Sequence, residues 1–480
     1  MKELEKVKKR RELTTPIAVF GFFVPLMTIL FLLSQGVSIM LALAAAICIE
    51  SAFGIWLGYT WEEIEEYAMK GIGRVNQTVI VMILIGMLIG VWISAGSVQT
   101  MLYYGINMIN PQFFLPIAFV ICIITSVVTG TSWGTAGTMG IALIGIAQGL
   151  GIPVEMAAGA IISGALVGDK LSPLSDTTLL SSATAGVKLF DHILSLCYVT
   201  VPISIIAIIV YSILGFRYGG GQADLSAVQT LSDSLAASCN VGVLMLVPLL
   251  FVLILSALKK PTIPVFAGGL LIGCIWAVVF QGATIEDVIS SAINGFTSAT
   301  GNADIDSLLS RGGALGMAET IFLCIGAGMF SGVFEKTGVL SKLMESLRKV
   351  VKSVGGLVTS VVVTGIALMF GGAGQSCTLS LPAIAFREAF EDMDVHPSVL
   401  SRTLECTGTV LGSIVPWDAS SILYTGLFGV SVAQYLPFNI VAILSPIMAI
   451  VTAFIGFGVF HFNDSVRVSL KLRKYRKERR

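Results

Sequence analysis

The chain has 480 residues, is 55% hydrophobic and 12% charged, and has a mean hydropathy of +0.90. A soluble domain carries about 25% charged residues; half that share, with apolar runs of 18 or more, means a polytopic, all-α membrane protein. This composition excludes a secreted disulfide scaffold, a disordered chain and a nucleic-acid binder, and its zero net charge hides an uneven distribution.

In chain order, Met1–Arg11 is a charged stretch carrying Lys2, Lys6, Lys8, Lys9, Arg10 and Arg11. A full-length span follows it with no small-residue cleavage pattern, so it does not read as a signal peptide. Ten apolar runs able to cross about 30 Å fall near 16–33, 37–58, 77–95, 155–187, 192–214, 240–258, 262–281, 318–334, 398–430 and 438–461. Two more, 112–150 and 357–386, are apolar but interrupted by Gly, Ser and Thr. A second basic tail, Lys471 to Arg480, follows the last run. The positive-inside rule places both ends in the cytoplasm, with further cytoplasmic loops at Lys259/Lys260 and at Lys336, Lys342, Arg348, Lys349 and Lys352. The weakly charged segments 96–111, 217–237 and 431–439 read as external. Glu319 and Glu335 flank a span and read as interfacial.

An external central linker between two internal ends requires an odd number of crossings in each half. That parity predicts two halves of opposite orientation, and the sequence carries a matching repeat. Val24-Pro25-Leu26 matches Val247-Pro248-Leu249, and Thr60-x-Glu62-Glu63-Ile64 matches Thr284-x-Glu286-Asp287-Val288, with Ala68/Ala292 and Gly71/Gly295 following. Gly86, Met87, Gly90, Val91 and Gly96 match Gly328, Met329, Gly332, Val333 and Gly338 at a constant separation of 242 (328 minus 86). Gly168, Pro173 and Asp176 pair with Gly412, Pro416 and Asp418 when small gaps are allowed. The expected plan is a basic N-terminus (1–15), a first inverted repeat (16–214), an external linker (215–239), a second repeat (240–461) and a basic C-terminus (462–480). Each half would hold five spans and one re-entrant hairpin, about ten spans in all, the architecture of secondary transporters.

Each half has two places where an apolar run breaks into small polar residues. The first is Thr129-Gly130-Thr131-Ser132-Trp133-Gly134-Thr135, answered in the second half by Gly371-Gly372-Ala373-Gly374-Gln375-Ser376-Cys377-Thr378. Glycine frees the backbone from helical geometry, while hydroxyls and unwound carbonyls supply oxygen ligands. A helix-packing face would space its small residues every fourth position; here they are contiguous, as at a hairpin tip.

The second break is Gly168-Asp169-Lys170-Leu171-Ser172-Pro173-Leu174-Ser175-Asp176-Thr177-Thr178, answered by Gly412 to Ser421 with Pro416 and Asp418. Proline cannot continue a helix interior. Asp176 and Asp418 become intramembrane carboxylates, costly unless paired or hydrated. Two such groups beside hydroxyls suit a hard cation such as Na+, which a proton can replace on a carboxylate. Each could equally cap a helix at its break, and the two roles are compatible. Lys170 either neutralises a carboxylate or binds an anionic substrate; the structural alternative is a buried ion pair. Glu405 is a third intramembrane carboxylate, with Arg402 on the same helical face as an alternative partner. Replacing Asp176 or Asp418 by Asn is expected to abolish sodium-dependent transport.

Other chemistries are poorly supplied. The eight Cys are scattered through apolar segments without a Cys-x-x-Cys pair, and the three His lie far apart. Gly130-Thr131-Ser132-Trp133-Gly134 fits the Gly-x-Ser-x-Gly string, but a nucleophile elbow needs an α/β sheet and a triad His.

Through the strings Thr129–Thr135 and Gly168–Thr178, the sequence resembles the NhaC-type Na+/H+ antiporter family, which includes sodium-linked malate/lactate exchangers. The resemblance covers roughly residues 16–461. It implies secondary active transport at a bacterial-type inner membrane, membership of the broader ion-transporter group, and an elevator-like movement of paired hairpins. It also implies cation binding at Thr131, Ser132, Asp176 and Asp418, and at Asp169. The second tip has Gln375 and Cys377 where the first has Trp133 and Thr135, so one half could serve the cation and the other an organic substrate. Trp133, Lys170, Ser172, Gln375, Ser376, Thr378 and Glu405 are the candidate contacts for it. No cofactor is expected; Na+ and H+ are the transported ions, the bilayer and a small organic acid the partners, and a homodimer is open. The competing readings are a Na+- or H+-coupled amino-acid or dicarboxylate carrier, a channel, and an intramembrane aspartyl protease with Asp176 and Asp418 as its dyad.

Overall fold

The structure is a computed structural model describing residues 10–108, 110–218, 239–258, 260–300, 306, 309–348 and 353–461. The basic residues before Arg10, Lys259, Lys349, Lys352, most of the 215–239 linker and the 462–480 tail lie outside the described residues.

The first half runs through helices α1 (Thr15–Ser34), α2 (Ile39–Leu57), α3 (Trp61–Ser94), α4 (Ser97–Met108), α5 (Phe114–Thr129), α6 (Ser132–Thr135), α7 (Ile141–Gly149), α8 (Val154–Leu171), α9 (Asp176–Ala185) and α10 (Leu189–Tyr218). The second runs through α11 (Val247–Ala257), α12 (Thr262–Gln281), α13 (Ile285–Asn294), α14 (Ala318–Lys336), α15 (Val339–Arg348), α16 (Val354–Phe370), α17 (Gly374–Asp392), α18 (Pro397–Leu404), α19 (Ala419–Phe428), α20 (Val432–Tyr435) and α21 (Ile440–Ile455). Among the described residues, seven helices are long and apolar enough to cross a membrane. Six of them meet expected spans, at α1, α2, α3, α10, α12 and α14. The seventh, Pro111–Thr129, is the entering arm of the interrupted 112–150 run. The expected span 438–461 belongs to a pair of segments bent by 60° at Asn439, and 240–258 is the short apolar helix Val243–Ser256. The outward faces of the spans carry large apolar side chains such as Phe20, Phe31, Ile213, Leu271 and Phe322. Apolar surface of that extent facing outward is what a bilayer covers. The molecule is a multi-pass, all-helical membrane protein.

The helix ends follow from local chemistry. Thr60 and Thr284 each close a capping box with the acid three residues on, Glu63 and Asp287. The Thr284 hydroxyl and N–H hold the exposed Asp287 carboxylate below its usual range. These boxes occupy the positions that the two halves share in sequence. Beyond them the spacing changes, from 224 at Gly71/Gly295 to 242 at Gly86/Gly328, a difference of 18 residues. Where the first half has the continuous 34-residue α3, the second has α13, a loop and α14. The described end of that loop folds onto α3 and α13: the Gly313 N–H donates to Gly86 O at 2.7 Å, and the Ala314 N–H donates to Ala292 O at 2.9 Å.

Two faces of the bundle are defined by contacts between chain-distant ends. On one, the Arg11 N–H donates to Leu57 O, Arg10 pairs with Glu63, and the His396 N–H donates to Phe460 O. On the other, Ser97 Oγ donates to Met245 O, and the Asn240 N–H donates to Gln281 Oε1. We call these the terminal face and the linker face. α5 begins near the linker face, where a Cβ on Gly215 would lie 2.1 Å from Gln112 O. α7 packs back on α4, with the Ile146 side chain against Gly105 and Leu102 against Gly145. The chain therefore enters and leaves by the same face, with its turn at Gly130, whose φ of +72° is left-handed.

The centre of the molecule is formed by α8 and α18. Met156 through Lys170 are buried without interruption, and so are Ser398 through Thr409. A helix buried all round is wrapped by its neighbours, so the breaks that end these two segments lie deep in the protein. Glycine lets the neighbours approach: a Cβ on Gly164 or Gly168 would lie 2.3 or 2.4 Å from a carbonyl oxygen of α5.

The α3–α14 crossing is tighter still, with a Cβ on Gly332 only 2.0 Å from Tyr67 O. Gly332→Val is expected to leave no folded protein in detergent extracts, read by size-exclusion chromatography. Gly73→Val, where a Cβ meets nothing within 4 Å, is expected to elute like the wild type. Equal behaviour of the two would remove the close-packing account.

Candidate functional site

α8 ends at Leu171 because Pro173 denies the next turn its donor, and the chain restarts as α9 at Asp176. The four residues between are fixed by their own hydroxyls. Ser172 Oγ donates to Val127 O at 2.7 Å and accepts from the Leu174 N–H at 3.2 Å. Thr178 Oγ1 reaches back to the carbonyls of Asp169 and Lys170 at 3.2 and 3.1 Å. The last turn of α8 is thus held open with its carbonyls engaged.

Asp169 sits in that turn and is buried. Its Oδ1 accepts from Ser175 Oγ at 2.6 Å, and its Oδ2 accepts from the Ser132 N–H at 3.1 Å. The second contact crosses from α8 to the tip of the first interrupted segment, where Thr131 caps α6 by accepting the Gly134 N–H at 3.3 Å. An anionic carboxylate at a helix N-terminus is held by the free N–H groups and the helix dipole. Between Gly130 and Ser132, the tip therefore meets the first break at a carboxylate.

The second break is built differently. Asp418 is itself the N-cap of α19, its Oδ1 accepting the Ser420 N–H at 2.9 Å. A Cβ on Gly412 would lie 2.7 Å from that oxygen, so glycine is required there. Ser421 Oγ donates to Gly412 O at 2.6 Å. The two breaks are joined by the first tip: Trp133 Nε1 donates to Ser420 Oγ at 3.3 Å. The buried Tyr424 side chain lies within electrostatic reach of both Asp169 and Asp418.

Beside this junction lies a second cluster. Glu405 opens a π turn, Glu405–Thr409, and is buried with Ser181 Oγ donating to its Oε1 at 3.2 Å and Thr409 Oγ1 donating to its Oε2. A π turn widens a helix and frees backbone groups; the segment Ala136–Gly140 after the first tip is another. Asp169 and Lys170 both interact electrostatically with Glu405. Lys170 is buried, its Nζ donating to Ser445 Oγ on α21 at 3.0 Å. The second tip abuts the same π turn, with Gln375 Nε2 donating to Thr409 O at 3.3 Å. Thr378 is buried and donates to Gly374 O, while Ser376 is exposed.

The structure therefore brings Thr131, Ser132, Trp133, Asp169 and Asp418 to one junction, with Lys170, Glu405, Gln375 and Thr378 beside it. Ser172 holds the break from behind. Asp176 stands apart from this set: it is the first residue of α9 and is exposed, close enough to interact electrostatically with Asp169. No ion pair joins Arg402 to Glu405 among the described residues; Arg402 Nη1 donates to Gly458 O at 2.6 Å instead. Sequence reasoning passed over Ser175, Ser181, Thr409 and Ser445, which hold the charged groups. It also passed over Glu50, a lone carboxylate in an apolar span that accepts from Thr337 Oγ1 at 2.8 Å.

The sequence profile described as the Na+/H+ antiporter family matches residues 7–200 and 185–457. The chain belongs to that family. It is 37% identical over 456 residues to a malate-2H+/Na+-lactate antiporter of Bacillus subtilis, covering 95% of this chain and 97% of that one. It is 36% identical to the Na+/H+ antiporter NhaC of Alkalihalophilus pseudofirmus, with coverage of 87% and 90%. An arginine/ornithine antiporter of Halobacterium salinarum is 34% identical, with 84% of each chain covered. These relatives are antiporters rather than enzymes, and the protease reading is set aside.

Proposed function

We propose that this antiporter exchanges Na+ for H+ across a cell's inner (plasma) membrane, with both termini cytoplasmic, and carries a small carboxylate such as malate or lactate in the same cycle. The observation that carries the reading is Asp169: a buried carboxylate at the meeting of a hairpin tip and a helix break, accepting from Ser175 Oγ and from the Ser132 N–H. Na+ takes hard oxygen ligands. Asp169, the hydroxyls of Thr131, Ser132 and Ser175, and the unwound carbonyls supply them. A proton occupies the same carboxylate when Na+ leaves, so the two ions compete for one seat. Asp418 holds the opposite break, and Asp176 stands at the approach to Asp169.

Lys170 supplies the positive charge that balances the cluster when the cation is absent. The organic substrate is assigned to the space between the tips, near Trp133, Lys170, Gln375 and Glu405. The repeats support an elevator in which α5–α9 and α16–α19 move against a scaffold containing α1–α3 and α11–α14. A homodimer would give that scaffold a fixed footing. An amino-acid cargo is the second reading, favoured by the arginine/ornithine relative.

The test is a proteoliposome assay with a lumenal pH dye under an imposed Na+ gradient, with and without malate, lactate and amino acids. Inward Na+ is expected to alkalinise the lumen. Proton movement indifferent to Na+ in every condition would overturn the proposal. Within the same assay, Trp133→Phe removes the indole donor to Ser420 and part of the ring's bulk while keeping an aromatic side chain. One neutral hydrogen bond is worth about 1 kcal/mol, or about fivefold in rate. A slowing of that size is expected, and an unchanged rate would show that the Trp133–Ser420 bridge is not part of the cycle.

A further inference from the structure

We propose that a cavity opening near the linker face, separate from the Asp169 junction, is an entry site for a small carboxylate bearing a hydrogen-bond donor on the adjacent carbon. The cavity has a volume of about 460 Å³ and is lined by α3, α7, the end of α19 and the loop before α14, with Gln148, Arg311, Gly316 and Gly429 among its walls. It lies where the second half carries its extra 18 residues relative to the first.

Arg311 belongs to that added loop, and its backbone is fixed. The Phe296 N–H donates to Arg311 O at 3.1 Å, and Gly312 and Gly313 follow with φ of +89° and +83°. A Cβ on Gly312 would lie 2.5 Å from the backbone nitrogen of Gly90, so the loop is seated against α3. The guanidinium points toward α7, where Nη2 would lie 3.4 Å from a Cβ on Gly145.

Its Nε and Nη2 atoms are buried, and neither has a hydrogen-bond partner among the described residues. Those two N–H groups share one edge of the guanidinium and form the fork that a carboxylate accepts side-on with two parallel bonds. A buried, unpaired charged donor is costly to keep, so a binding role accounts for its retention. Gln148 lines the same cavity, and its Oε1 is also buried without a partner among the described residues. An amide oxygen beside the fork accepts from a hydroxyl or ammonium next to the carboxylate. The two groups thus recognise a hydroxy acid or an amino acid over a plain fatty acid. The proposal deepens the carboxylate part of the functional reading and rests on it for the fate of the ligand, while binding itself can be measured without transport.

The experiment is equilibrium binding of radiolabelled L-lactate and L-malate to the full chain in lipid nanodiscs, with no ion gradient. Propionate, alanine and chloride serve as competitors. Saturable binding is expected, with propionate weaker than lactate because it lacks the donor. Arg311→Gln is expected to weaken binding at least about tenfold, the loss of a charge-assisted pair. Arg311→Lys keeps the charge and loses the fork, and is expected to weaken binding as well; it serves if the Gln variant does not fold. Gln148→Leu is expected to erase the preference for lactate over propionate. Competition by alanine equal to that of lactate identifies an ammonium as the donor and supports the same site. Unchanged affinity in both Arg311 variants, or displacement of lactate by chloride as readily as by malate, would overturn the proposal. So would a wild-type chain that binds no acid yet still exchanges Na+ for H+; that outcome would leave the cation reading standing.

Discussion

Asp169→Asn is expected to yield folded protein whose Na+-driven proton movement falls to the level of empty liposomes. The amide nearly matches the carboxylate in size, and its oxygen still accepts from Ser175 Oγ, now at 2.6 Å from Oδ1. What it loses is the second acceptor, facing the Ser132 N–H at 3.1 Å, and the negative charge. One unmet backbone donor costs about 1–3 kcal/mol, which a multi-pass protein survives. The charge has no substitute: neither Na+ nor a proton has a carboxylate to exchange on. Asp418→Asn is expected to cause a comparable loss, because Asp418 both caps α19 and lies at the same junction. Asp176→Asn, at an exposed position, is expected to lower apparent sodium affinity and leave exchange measurable. The three variants compared for elution profile and for initial rate in proteoliposomes check this ordering. An Asp169→Asn rate within twofold of wild type would remove Asp169 from the cation seat.

Lys170→Met is the second large effect. Lys170 is buried and reaches Ser445 Oγ at 3.0 Å, and its charge acts on Glu405. Methionine keeps the length and apolar stem of the side chain and removes the ammonium. Taking one member from a buried charge cluster costs about 3–5 kcal/mol, because the remaining charges are left uncompensated. The sodium-bound state, which carries its own cation, is affected less than the empty one. Sodium is therefore expected to bind at least as tightly as in the wild type, while the sodium-free, protonated carrier no longer completes its return and net exchange collapses. Sodium binding and exchange measured on one preparation separate these effects. A Lys170→Met variant that loses both together would point to a structural role instead. One that loses neither would show that the ammonium is idle.

Much of this organisation is legible in the amino-acid sequence. Pro173 and the small-residue string after Thr129 mark breaks by local chemistry, and both lie where helices stop. The capping boxes at Thr60 and Thr284 are likewise local, since the donor and acceptor are three residues apart. The burial of Asp169 is less legible. The spacing of Pro173 and Pro416 (416 minus 173, or 243) lays Asp418 on Ser175, and Asp176 pairs with Asp418 only across a one-residue gap; in the structure Asp418 is an N-cap and Asp176 is the first helical residue. The residue at the cap position of α9 is Ser175. One residue is a turn of about 100° on a helix. That shift carries Asp176 away from the junction, and Asp169 with Ser175 does there what Asp418 does alone. The prolines carry that register, since each N-cap lies two residues after its proline; pairing the two aspartates across a gap loses it. Arg311 is opaque for another reason. It lies in a segment that one half has and the other lacks, so the repeat offers it no counterpart.

The most direct measurement is equilibrium binding of radioactive sodium to the purified protein at mildly acidic and mildly alkaline pH, for the wild type and for Asp169→Asn. If Na+ and H+ share Asp169, sodium binding in the wild type weakens as pH falls, because protons occupy the seat. The Asn variant then binds no sodium at either pH. Sodium binding that is independent of pH, or that persists in Asp169→Asn with wild-type affinity, would contradict the account.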